Sequence, residues 1–367
     1  MKKVLAVVMA MLLVFSLAAC GNSSNSSSTA ASESSEAAPA EQPAESSAAA
    51  EESKTEQTEG FGLKPTKDPS EMKVALVMLG AISDLGWDYT ASIGLQKIAA
   101  MGPQTSYKEK VAMSDLESVF RTYASEGYDV IFYATSMGEE AVATVAKDFP
   151  DTQFIVVAGN LMEDNIVSIK MADEQQGFML GAIAAMASKS GIVGFVGANE
   201  IVPVVNGLKG FEQGAKYVNP DIQVLSTFTG SDFDVNLAKE VALAMIDQGA
   251  DVLSSIATAG TVGVLEACVE RGIYAVSESS GLAEAATDAV LTSVTKDASI
   301  GYEVIFKKYL DGQLPNYIMK MGAAEGVVYY DPWNEAVKGD GLTDEQKAQI
   351  EQIYQDMAAG KIEISID

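Results

Sequence analysis

The chain of 367 residues is 48% hydrophobic and 20% charged, enough material for about two domains of ordinary size. Its 51 Asp and Glu outweigh 24 Lys and Arg, and a net charge of −27 argues against nucleic-acid recognition, which needs clustered cations. With no histidine and only two cysteines, Cys20 and Cys268, it lacks the commonest general base and metal ligand and any four-cysteine zinc site.

Met1-Lys2-Lys3, an uncharged run from Val4 to Phe15 and the ending Leu17-Ala18-Ala19-Cys20 have the layout of a secretory signal over residues 1–19. The run is shorter than the ~20 residues that cross a bilayer. Its ending resembles a bacterial lipobox, in which Cys20 is lipidated; two acyl chains on one cysteine hold a protein stably at a membrane. The expected location is the outer face of the cytoplasmic membrane. Residues 21–60 contain no Val, Ile, Leu, Met, Phe, Trp or Tyr and carry eight Glu against one Lys. Having so little to bury, the stretch 20–70 is expected to be a disordered tether.

Beyond residue 70, short β-rich runs alternate with amphipathic stretches. In chain order the pattern predicts strand 73–79, helix 87–101, strand 105–111, helix 114–125, strand 130–134 and helix 137–148. Strands 154–157 and 166–169, helix 173–188, strand 192–196 and helix 204–217 follow. Then come strand 222–227, helix 235–248, strand 252–256, helix 260–271, strands 274–277 and 290–294, and helices 298–311 and 343–358. In helix 235–248, Leu237, Val241, Ala244 and Met245 form an apolar stripe. The strands read as apolar runs buried on both faces, which implies parallel sheets covered by helices. Ten strands are too many for one sheet here, and Glu126-Gly127-Tyr128-Asp129 and Asp247-Gln248-Gly249-Ala250-Asp251 each lead into a buried strand. The expected fold is α/β: two Rossmann-like lobes whose strand-end loops face one ligand cleft.

Those loops carry the candidate site. Gly80 to Tyr89 combines Ser83, Asp84 and Asp88 with Trp87, one of two tryptophans, just before a helix. An aromatic plane beside polar groups suits a flat heteroaromatic ligand, although a capped helix with a core Trp would look the same. Thr135 and Ser136 precede the next helix, and Asn160 ends the loop after strand 154–157. In the second half, Phe233 sits between Asp232 and Asp234, Thr258 and Gly260 follow a strand, and Glu278 follows another. Catalytic motifs are missing: no G-x-S-x-G elbow, phosphate-binding loop or G-x-G-x-x-G fingerprint occurs. Cys268, beside Val264 and Leu265, reads as a buried small hydrophobe. No cofactor, metal or enzymatic activity is expected.

Taken in order, several segments are similar to the basic membrane protein (PnrA-like) family, substrate-binding lipoproteins of ABC importers that include purine nucleoside receptors. They are Gly80-x-x-x-Asp84-x-Gly86-Trp87-Asp88 with Gly94-Leu95, Tyr128-Asp129-Val130-Ile131, and Glu174-Gln175-Gln176-Gly177-Phe178-Met179-x-Gly181. Val193-Gly194-Phe195-Val196-Gly197, Gly207-x-x-x-Phe211-x-x-Gly214-Ala215 and Leu291-Thr292-Ser293-Val294-x-Lys296 continue the series. The resemblance implies a type I periplasmic-binding-protein fold with three crossovers. The first lobe would hold residues 71–172 and about 282–322, the second 173–281 and about 323–367. It implies a non-enzymatic, monomeric receptor stacking a purine nucleoside or base between Trp87 and Phe233, with Gly260 as a close backbone approach and Lys296 closing the site. The implied partners are a permease and an ATPase. Asp88 stands where nucleoside receptors often carry Asn, and only Glu278, one position out of register, could replace their ribose-binding Asp. A sugar receptor of the same fold, a secreted nucleoside hydrolase and a surface adhesin or sensor are the competing readings.

Overall fold

A computed structural model describes residues 61–84 and 87–366. Its first half runs β1 (Lys73–Val77), α1 (Trp87–Ala99), β2 (Gln104–Lys108), α2 (Leu116–Ser125), β3 (Val130–Tyr133), α3 (Glu140–Ala146), β4 (Gln153–Val157), β5 (Met162–Glu163) and β6 (Ile166–Met171). Next come α4 (Asp173–Ala187), β7 (Ile192–Gly197), α5 (Val202–Val218), β8 (Gln223–Phe228), α6 (Val235–Asp247) and β9 (Val252–Ile256). The chain continues with α7 (Thr261–Arg271), β10 (Tyr274–Ser277), α8 (Ser280–Ala283) and β11 (Val290–Lys296). It finishes with α9 (Ala298–Leu310), β12 (Met319–Met321), β13 (Val328–Tyr330) and α10 (Asp344–Ala358).

Fully buried runs such as Val-Ile-Phe-Tyr in β3 and Gln-Phe-Ile-Val-Val in β4 are packed on both faces, which is how a parallel strand under two helix layers reads. The first sheet has the order β2-β1-β3-β4-β6-β12, all parallel, with β5 antiparallel to β6. The second has β8-β7-β9-β10-β11, all parallel, with β13 antiparallel on the end. Each lobe therefore repeats one doubly wound order, starting from its second strand and reversing beside its first. One face of the first sheet buries Leu76, Phe132, Tyr302 and Phe306; the other buries Phe120, Tyr133 and Phe154.

The expectation of uniformly apolar strands fails at the edges. Strands β2 and β8 are largely exposed, since an edge strand has neighbours on fewer sides and tolerates polar residues. In α6 the buried stripe is Ala238, Ala242 and Met245, while Ala244 is exposed. Small residues win that face because α7 comes so close that a Cβ on Gly263 would lie 2.0 Å from the Val235 carbonyl oxygen.

Two boundaries also move. Strand β11 was expected in the first lobe, yet it pairs in parallel with β10 in the second sheet. The segment from β10 to β11, carrying α8, is a crossover of the length a parallel pair needs, so the chain changes sheets only after β11. Helix α9 then packs on α1, with the Tyr302 ring filling the notch at Gly94. The tether was expected to extend to residue 70, but Phe61 donates its N–H to the Leu314 carbonyl at 2.9 Å and Lys67 pairs with Asp129 at 2.6 Å. Leu63 likewise donates to Gln153 Oε1 at 2.9 Å. Two apolar side chains, Phe61 and Leu63, pack on the first core and anchor the segment. The expected signal and Cys20 lie outside the described residues. Among the described residues no helix is long and apolar enough to cross a membrane.

Candidate functional site

In an open parallel sheet the crevice for a ligand opens beyond the carboxyl ends of the strands, where the order reverses. That point lies between β1 and β3 in the first lobe and between β7 and β9 in the second. Trp87, first residue of α1, spans the first of these: its indole Nε1 donates to the Ala134 carbonyl beyond β3 at 2.6 Å. It keeps 39% exposure, so the ring is not a core side chain. Asp88 Oδ2 accepts the Gly80 N–H at 3.0 Å and so shapes the loop after β1. Ser83 lies exposed in the short turn Ile82–Asp84, which also brings Asp84 to this end of the sheet.

After β3, the Thr135 hydroxyl accepts the Met137 N–H at 3.2 Å, and Ser136 is half-buried beside it. Tyr133 donates its hydroxyl to the Met137 carbonyl, and burial, reinforced by Asp88, Glu139 and Glu140, pushes its pKa up to about 12. It remains a neutral donor. Asn160 is clamped: buried Glu139 accepts its backbone N–H at 2.9 Å and its Nδ2 at 3.0 Å, and Lys170 Nζ donates to its Oδ1 at 2.8 Å. Between them Ala158 holds φ +59°, a left-handed backbone that costs a non-glycine residue energy and is frequent at functional loops.

The second lobe mirrors this. Phe233 is 76% exposed in the loop after β8. Ser231 Oγ accepts the N–H groups of Phe233 and Asp234 at 3.2 and 3.1 Å, while Asp234 caps α6 by accepting the Leu237 N–H at 3.0 Å. Thr258, exposed after β9, holds φ +53°. The Gly260 N–H is used internally, reaching the Ala257 carbonyl at 2.9 Å, and an added Cβ would meet only ordinary contacts from 3.4 Å outward. Glu278 Oε1 accepts from the N–H groups of Ala257 and Thr258 at 3.0 and 2.8 Å and from the Thr261 hydroxyl at 2.6 Å. Burial nevertheless raises its carboxyl above the ordinary value, outweighing those donors and Lys296.

Lys296, the last residue of β11, is paired with Asp173, the first residue of α4, and both side chains are mostly buried. The residues beside it were not anticipated as a group. Glu174 Oε1 accepts from Lys320 Nζ at 2.9 Å, Gln175 Oε1 accepts the Ala323 N–H at 2.8 Å, and Gln176 Nε2 donates to Val294 and Glu278 carbonyls at 2.9 and 3.1 Å. The signal was the run of four polar residues opening an otherwise apolar helix. Asn199, which donates to Asp232 at the end of β7, and Ile201 and Val202, exposed by 52% and 71%, were also missed. Single polar or apolar residues in a loop carry no periodicity to find them by.

Chemically this end of the sheets offers two exposed rings, hydroxyls and carboxylates already bound to backbone. Among the described residues no three His, Cys, Asp or Glu side chains could hold a metal ion. Cys268 is fully buried, and burial pushes its thiol up, away from a reactive thiolate.

A sequence model of the family described as "ABC transporter substrate-binding protein PnrA-like" matches residues 71–365. A purine-binding protein of Brucella abortus is 31% identical over 286 residues, 76% of this chain and 81% of that protein. A putative ABC transporter glucose-binding protein of Haloferax volcanii is 28% identical over 82% of this chain and 76% of its own length. Among solved structures, an ABC transporter solute-binding protein from Conexibacter woesei superposes with a TM-score of 0.66 at 22% identity, covering 80% of this chain and 98% of that one.

Proposed function

We propose, on the premise that this chain belongs to the PnrA-like family of ABC transporter substrate-binding proteins, that its ligand is a purine nucleoside or nucleobase held between the lobes. The observation that carries this reading is Trp87. Its indole is fixed by one hydrogen bond at the point where the strand order reverses, yet stays partly open to solvent. Stacking on a fixed aromatic plane is the main attraction available to a flat heterocycle. Phe233, exposed at the corresponding end of the second sheet, would supply the opposite wall. Ser83, Thr135 and Ser136 would choose among the ligand's polar edges. The purine-binding relative supports the ligand class.

In the same proposal the protein hands its ligand unchanged to a permease and an ATPase, and a lipidated Cys20 tethers it outside the cytoplasmic membrane. A sugar is the second reading, favoured by the glucose-binding name of one relative and by the readiness of sugars to stack on Trp. Calorimetric titration with adenine, guanine, their nucleosides, glucose and galactose separates the two. Purine binding that Trp87→Ala weakens at least about tenfold, or about 1.4 kcal/mol, is the expected result. Sugar binding alone, or purine binding indifferent to Trp87→Ala, would overturn it. Conversion of nucleoside to base and ribose during the titration would point to the hydrolase instead.

A further inference from the structure

A cavity lies on the outer edge of the second lobe, between β13 and α10. It has a volume of about 370 Å3 and is walled by Tyr329, Tyr330, Trp333 and Tyr354, with the carboxylates of Asp331 and Glu351. Trp333 packs on Tyr330 with ring centres 5.6 Å apart and tilted by 46°, and Tyr354 meets Tyr330 edge-on at 5.5 Å. Two of the three tyrosine hydroxyls are already used as donors. Tyr330 donates to Glu351, and Tyr354 donates to the Val328 carbonyl at 3.1 Å.

The acceptors, by contrast, are in excess. Asp331 Oδ2 is buried with no hydrogen-bond partner, and burial holds that carboxyl above its ordinary value despite a hydrogen bond with the Ser293 side chain. Glu351 is held below its ordinary value by the Tyr330 hydroxyl and Gln355, so it stays ionised. Among the described residues none that line the cavity is basic. Ring faces carry partial negative charge and attract cations, and a chain of net charge −27 raises the cation concentration around it. A metal ion is a poor candidate, because the oxygen cluster it would need is missing among the described residues. The volume, about a dozen water molecules at roughly 30 Å3 each, suits a small organic cation.

We propose that this cavity binds a small free alkylammonium ion, with its charge against the faces of Trp333 and Tyr330 and its ion pairs to Glu351 and Asp331. The site is independent of the interlobe reading and survives its failure.

The two tryptophans make the test direct, because Trp87→Phe leaves Trp333 as the sole indole. Its emission is followed in the otherwise intact chain while tetramethylammonium or n-butylammonium is added to about 50 mM, with ionic strength held constant by NaCl. A saturable change is expected, weakened at least about tenfold by Glu351→Gln and by Asp331→Asn, each checked for folding by its thermal melt. If Asp331→Asn does not fold, Glu351→Gln alone decides. Neopentyl alcohol, close to tetramethylammonium in shape but without its charge, should give no saturable change. A response equal to that of neopentyl alcohol, no saturation, or a folded Glu351→Gln protein that binds as before would overturn the proposal. So would binding of a lysine-containing peptide with none of the free ammonium ions, which would make this a protein-docking face.

Discussion

At the scale of single residues, the two sides of the strand-end region are built by different means. Trp87 is held by one donor and left open, whereas Glu278 is wrapped by three donors converging on a single oxygen. Those donors make Glu278 a loop organiser. Replacing it by Ala leaves two backbone N–H groups and a hydroxyl without their acceptor, at a cost of about 2–4 kcal/mol. Glu278→Gln keeps the accepting oxygen and removes the buried charge. Because the folded-state pKa is raised, the folded protein holds this proton after the unfolded chain has released it. Stability is therefore lost as pH rises from the ordinary carboxyl value of 4.5 through the raised one, and stays lost above. Melting temperatures measured from about pH 4 to 8 should show the wild type falling relative to Glu278→Gln over that window. A constant difference between the two would mean that Glu278 titrates normally.

Among elements, the pair α4 and α5 shows why some glycines in the sequence motifs cannot change. A Cβ on Gly177 or Gly181 would lie 1.8 or 2.0 Å from the carbonyl oxygens of Gly207 or Phe211, and one on Gly210 or Gly214 would meet the α4 backbone equally closely. Backbone atoms cannot step aside as a side chain can, so Gly181→Ala must push the helices apart and lose about 3 kcal/mol or more. Gly281→Ala, with open space around its Cβ position, should change stability by less than about 1 kcal/mol. Urea midpoints of the two variants test this; similar values for both would refute the close crossing. The same contrast explains what could be read from the sequence. Long apolar or amphipathic segments such as β3, β4 and α4 announce themselves because burial is local to them. Strands β5, β12 and β13 have two or three residues each, too few for a period to show. Their existence depends on a partner strand remote in the chain, and the buried face of α6 was displaced because its partner demanded small residues.

For the molecule as a whole, three crossovers join the lobes, and the start of α4 binds all of them. Asp173 and Gln176 reach β11 at the second crossover, and Glu174 and Gln175 reach Lys320 and Ala323 at the third. The sequence showed the polar run but not its targets, since which sheet receives β11 is decided by a ladder to β10 that no local pattern encodes. Asp173 and Lys296 retain only 15% and 18% side-chain exposure, so water does little to screen them, and removing either leaves an unpaired, poorly solvated charge. Such a loss costs about 3–5 kcal/mol at full burial and somewhat less here. Replacing both, by Asn and Met, removes the stranded charge along with the pair. Asp173→Asn and Lys296→Met should therefore each destabilise the protein, while the double variant should recover about 1–3 kcal/mol relative to their sum. Chemical denaturation of the four proteins closes the cycle. Strictly additive losses would mean that the two groups act separately, and that Glu174, Gln175 and Gln176 tie the start of α4 to the crossovers without a coupled Asp173–Lys296 pair.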